Sequence, residues 1–146
     1  MNKPLSVLLM LLATVLSAAP VLAQEAPWGR AQPAERDYAP QKVLYDVDAH
    51  DKEKLNRVLD RVSYLNNLYG ADPFRASIVL IIHGGAIPYF AVENFERHEE
   101  LMRRAQSLGV GGIIEFRMCQ IAAKGQGYEP ADIHGFVDMV PMADAE

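Results

Sequence analysis

Apolar and polar residues alternate in blocks along this chain, and the blocks change period. Residues 42–47, KVLYDV, are short, β-branched and aromatic, which predicts a strand. Over 51–69, Leu55, Val58, Leu59, Val62, Leu65 and Tyr69 recur at three- and four-residue steps. That stripe predicts an amphipathic helix, with Gly70 as its stop. Residues 76–83, ASIVLIIH, hold an unbroken apolar run that suits a central parallel strand buried on both faces. His83-Gly84-Gly85 should end it abruptly. A second helix is expected over about 91–108, with Phe95, His98, Leu101, Met102, Ala105 and Leu108 inward and Gly109 as its stop. A third strand is expected over 110–118, a short helix over 119–124 closed by Gly125, and a fourth strand over 134–140.

This strand-helix alternation predicts an α/β fold: a three-layer sandwich with a mostly parallel sheet of four to five strands and helices on both faces. In such sheets the binding crevice lies beyond the carboxyl ends of the strands. Asp48-Ala49-His50 follows the first strand, His83-Gly84-Gly85 the second, Cys119 the third and Pro141 the fourth. Parallel strands would therefore collect two histidines and the chain's one cysteine on a single edge.

The chain opens on a different kind of segment. Lys3 precedes an apolar run over 5–16, about a dozen residues against the roughly 20 needed to span a bilayer. Small residues and Pro20 follow, ending at Val21-Leu22-Ala23. Residues 1–23 therefore read as a cleaved secretory signal, and no cysteine near the cleavage site suggests a lipid anchor. This predicts an exported protein, placed in a bacterial periplasm. Residues 24–41 contain three prolines and no apolar period, which predicts an extended lead-in that Trp28 and Tyr38 could tack onto a domain or a neighbour. The domain proper is 42–146.

Charge narrows the partners. Loss of Lys3, the only charged residue in 1–23, leaves 13 basic against 19 acidic residues, a net charge of −6. Nucleic acid and anionic membrane surfaces are not expected partners. The Rossmann and P-loop glycine patterns are absent, so no nucleotide cofactor is expected. Glutamates 93, 96, 99 and 100 interleave with Arg97, Arg103 and Arg104 as a solvated helix face.

Cys119 is the candidate catalytic residue. An exported chain normally pairs its cysteines, and this one has no partner. At a strand-to-helix junction its sulfur could meet free backbone N–H groups, and Arg117 could add positive charge from the same strand face. Both would favour thiolate, the nucleophilic form. The competing reading is a small, inert core cysteine. His83, Gly84, Gly85 and His50 are candidate pocket residues: imidazole as proton acceptor, glycines for close backbone approach, although each could equally shape a turn. His98 reads as a core residue and His134 carries no clear message. A metal site from His50, His83 and Cys119 lacks any short ligand spacing, so no metal is expected. A Cys-His protease lacks a readable groove and oxyanion hole.

The strand KVLYDV, the helix end LNNLYG, the segment IVLIIHGGAI and the block LGVGGIIEFRMCQIAAKGQGY together resemble the DsrE/DsrF-like family of small sulfur-relay α/β proteins, over about 42–144. The resemblance implies a trimer or trimer-based hexamer. It also implies that Cys119 carries sulfane sulfur as a persulfide exchanged with a donor or acceptor thiol, with His83 as a pocket residue and no cofactor. Two other readings stand beside it: an oligomeric binding or scaffold module with Cys119 structural, and a thiol-based metal or redox sensor.

Overall fold

The computed structural model describes residues 26–146. The expected signal segment, 1–23, lies outside them. The chain divides into two units, Met1–Arg36 and Asp37–Glu146. In the first, the described residues 26–36 hold a turn closed by Gly29 N–H donating to the Ala26 carbonyl at 2.9 Å, and Trp28 is exposed.

The second unit is built on four strands: β1 (Gln41–Val47), β2 (Ala76–Ile82), β3 (Ile114–Cys119) and β4 (Val137–Val140). All pairings are parallel and the order is β1-β2-β3-β4. Helix α1 (Lys52–Leu68) links β1 to β2, α2 (Phe95–Gly109) links β2 to β3, and the six-residue α3 (Gln120–Gly125) follows β3. The expected α/β class and parallel sheet are present.

Local chemistry sets the helix ends. Asp51 caps α1 by accepting from the Lys54 N–H, and Glu53 complements the dipole in the first turn. At the other end Gly70 (φ 68°) and Ala71 (φ 53°) turn left-handed, and their N–H groups close onto the Asn67 and Asn66 carbonyls at 2.9 Å.

Packing is one-sided. Leu55, Leu59 and Val62 of α1 join Leu101, Met102 and Ala105 of α2 in one apolar cluster with Val47, Ile78, Leu80, Ile82, Ile114, Phe116 and Met118. These strand residues are every second position, so they share one face of the sheet. The alternate positions point the other way: Lys42, Leu44, Asp46; Ser77, Val79, Ile81; Glu115, Arg117, Cys119; Asp138 and Val140. The register aligns them across the sheet, Leu44 with Val79 and Glu115, and Asp46 with Ile81, Arg117 and Asp138. Leu44 is 53% exposed and Lys42, Asp46 and Asp138 are exposed as well.

The strand order explains this. Each connection steps to the same side, and crossovers of one hand then lay every helix on the same face. A second helical layer needs the order to reverse, and it does not. The sequence expectation of helices on both faces is thus met on one face only, by α1 and α2. At its carboxyl end the opposite face is bordered by Ala122 of α3 and by a 3₁₀ turn at Ala143–Ala145.

One connection carries an element absent from the sequence reading. Between the expected strand and the expected helix, Gly84–Phe90 forms a 3₁₀ helix whose Ala86, Ile87 and Phe90 are fully buried. Burial of three apolar side chains, worth about 1.5–3 kcal/mol each for the two large ones, holds a conformation that Pro88 would bar from a longer α-helix.

Candidate functional site

The carboxyl edge of the sheet is built from the last residues of three strands. β2 and β3 remain in register to the pair Ile82–Met118, so the next residues, His83 and Cys119, stand side by side. Cys119 in turn pairs with Val140 of β4. His83 keeps an extended backbone (φ −150°, ψ −176°), and its N–H donates to the Val47 carbonyl at 3.1 Å, which prolongs the β1–β2 ladder. Alternation therefore carries the His83 ring onto the face opposite the helices, the face of Asp46 and Cys119.

These side chains line a cavity of about 550 Å³. Leu44, Asp46 and Ile81 form its sheet wall, His83 and Cys119 its carboxyl-edge wall, and Ala122, Ala143, Asp144 and Glu146 its rim. A second depression, about 330 Å³ near the amino end of β3, is lined by residues such as Gln106, Glu115, Phe136 and Asp138 and has neither thiol nor imidazole. The chemistry favours the former.

Cys119 is 7% exposed and free. It lies outside the apolar cluster of the helix side and opens on the cavity. It occupies the cap position of α3, yet its side chain makes no capping hydrogen bond, and six residues make a small dipole. The imidazole of His83 is hydrogen-bonded through Nε2 to the Asp46 carboxylate. Asp46 was not among the sequence candidates. Its signal was the polar-apolar alternation Lys42-Leu44-Asp46, which marks an open sheet face more than a doubly buried strand.

Arg117 is placed differently from its expected role. Its guanidinium donates to Glu115 Oε2 from Nη2 at 2.6 Å and from Nε at 3.1 Å, and pairs with Glu146 through Nη1. The Glu115 hydrogen bond, with Glu146 in support and burial opposing, raises its pKa further above the ordinary arginine value. Two carboxylates thus more than offset its one positive charge.

His50, Gly84 and Gly85 are brought together at the β1–β2 edge, outside the residues that line the cavity. The Gly85 N–H donates to Asp48 Oδ1 at 2.8 Å, and His50 Nε2 lies 3.3 Å from the same oxygen. A Cβ on Gly85 would fall 2.8 Å from His50 Cε1. The glycines allow two loops to touch. The Gly85 hydrogen bond is the largest cause holding the Asp48 carboxyl below its ordinary range, and the nearby His50, His83 and Lys54 side chains add to it against a desolvation cost. Among the described residues, no group of three or more His, Cys, Asp or Glu side chains could hold a metal ion.

No protein-family model matches the chain, and no curated protein matches it. Among solved structures it is similar to a protein of unknown function, MTH1491 from Methanobacterium thermoautotrophicum, with 17% sequence identity and a TM-score of 0.49, over 71% of this chain and 85% of that one.

Proposed function

We propose that this is an exported, DsrE-like sulfur carrier that holds sulfane sulfur as a persulfide on Cys119. The observation that carries the reading is the placement of the chain's one thiol: it shares a carboxyl-edge cavity with His83 and is largely shielded from bulk water. Shielding suits a persulfide, which over-oxidises or exchanges with stray thiols when open to solvent.

The chemistry is balanced without a cofactor. The Cys119 sulfur attacks the outer sulfur of a donor R–S–SH. The donor S–S bond breaks, R–SH leaves with one proton, and Cys119–S–SH remains. An acceptor thiol attacks the outer sulfur in turn and restores Cys119–SH. The test is intact-mass analysis of the signal-free protein after incubation with a small-molecule persulfide. One added sulfur is expected on the native protein and none on Cys119→Ser. Alkylation of Cys119 only after unfolding would overturn the reading.

A second reading has its own support. The uncovered sheet face, with Leu44 half exposed beside Val79, suits self-association into the trimer or hexamer that a DsrE-like protein forms, with or without sulfur chemistry.

A further inference from the structure

We propose that Asp46 is the positioning residue for a Cys119–His83 proton-transfer pair, by holding His83 in the tautomer that carries its proton on Nε2. This rests on the reading of Cys119 as a sulfur nucleophile and adds the group that prepares it.

Asp46 lies in β1, Cys119 ends β3 and His83 directly follows β2 between them, and all three line the cavity on the face away from the helices. Neighbouring strands lie about 4.8 Å apart, so same-face side chains at paired positions are within reach of one another. His83 and Cys119 directly follow the last registered pair, Ile82–Met118, and both line the same cavity. The Asp46 carboxylate, an obligate acceptor when ionised, engages Nε2 of the ring. Neutral imidazole has one N–H and one bare nitrogen, so an Nε2–H bound to Asp46 leaves Nδ1 with the free lone pair. Proton transfer from Cys119 Sγ to Nδ1 then breaks one S–H bond and forms one N–H bond, with no change of oxidation state. It gives a thiolate beside an imidazolium that Asp46 faces. The roles match the nucleophile, base and orienting carboxylate of acyl-transfer triads, assembled here from strand ends.

The test uses iodoacetamide on the folded, signal-free protein at neutral pH, with Cys119 alkylation followed by intact mass. Asp46→Asn should slow alkylation by about tenfold or more, Asp46→Glu should recover most of the loss, and His83→Ala should slow it at least as much as Asp46→Asn. Adding Asp46→Asn to His83→Ala should change nothing further, because Asp46 acts through His83. The ring ¹⁵N shifts of His83 should report the Nε2–H tautomer in the native protein and a mixture in Asp46→Asn. Unchanged alkylation in Asp46→Asn, an equal additional loss in the His83→Ala background, or a native Nδ1–H tautomer would each overturn the proposal. Alkylation that follows the expected pattern while no persulfide loads supports this positioning role and sinks the carrier reading alone.

Discussion

Gly84 lies against Asp48 so closely that a Cβ on the glycine would fall 2.7 Å from Asp48 Cγ and closer still to Oδ1. Gly84 also sits at φ 54°, where L side chains are strained by about 1–2 kcal/mol. The displaced carboxylate would lose the Gly85 N–H, a hydrogen bond to a charged group worth about 1.5–3 kcal/mol. Gly84→Ala should therefore destabilise the domain by roughly 2–4 kcal/mol, read as a lower urea midpoint at unchanged m-value. Gly84→Ala combined with Asp48→Ala should recover part of the loss, since the second change removes the obstructing carboxylate. If Gly84→Ala unfolds at the wild-type midpoint, the packing role assigned to the Gly-Gly step is wrong.

His98 and His134 predict how stability depends on pH. His98 interrupts the helical backbone of α2 (φ −124°, ψ 19°), with its ring centroid 4.7 Å from that of Tyr89. The His134 ring sits 5.4 Å from Phe95 and stacks on Phe136 at 6.0 Å. His98 Nδ1 and His134 Nε2 are buried without a hydrogen-bond partner. Burial lowers both imidazoles below their ordinary value of 6.5, and Arg97 and Lys52 lower His98 further. The unfolded chain then binds protons at a pH where the folded one does not, so stability rises with pH across that window. It is complete above 6.5 and is lost as pH falls from there through the folded values. The urea midpoint should drop between about pH 7 and pH 5, and His98→Leu/His134→Phe should flatten the drop. An equally steep drop in the double variant would assign the acid sensitivity to other groups.

Much of the fold was legible because its periods are strong. The α1 stripe of Leu55, Leu59 and Val62 and the run in β2 place a helix and a strand with boundaries within one residue of those expected. Boundaries failed where glycines and turns decide them. β3 begins at Ile114, well after Val110, because Gly112 turns left-handed (φ 70°) and leaves Val110 exposed. The 3₁₀ helix at Gly84–Phe90 was missed because its hold is tertiary, through buried Ile87 and Phe90. The placement of Cys119 and His83 on one edge was readable from topology, and the contacts of Gly84 and Gly85 with Asp48 and His50 were not. The ion pair of Arg117 with Glu146, 29 residues further along the chain, had no local pattern to announce it, and the one with Glu115, two residues back on the same strand face, was not drawn from the sequence.

Arg117 gives a prediction in the opposite sense to its sequence reading. With Glu115 and Glu146 both on its guanidinium, its charge has little net effect on a neighbouring thiol. Arg117→Met should change the rate of Cys119 alkylation by less than about threefold, because partly exposed charges are well screened. It should lower stability by no more than about 1 kcal/mol, the upper range for pairs near the surface. A tenfold slower alkylation would restore Arg117 as an electrostatic partner of Cys119.

The open face of the sheet predicts association. Leu44 is 53% exposed in the middle of β1 and aligned with Val79 of β2, while Lys42, Asp46 and Asp138 lie on the same face. Parallel sheets are nearly always covered on both faces, and here α1 and α2 share one. A second copy of the chain is the cover that the DsrE-like reading supplies. The signal-free protein should scatter light with a mass above one protomer. Leu44→Lys should lower that mass at constant protein concentration, because it places a charge within the buried patch. The protomer fold should survive, since Leu44 lies outside the apolar cluster that holds α1 and α2 to the sheet. A wild-type mass equal to one protomer would leave this face bare in solution and remove the oligomer from the proposal, without touching the Cys119 chemistry.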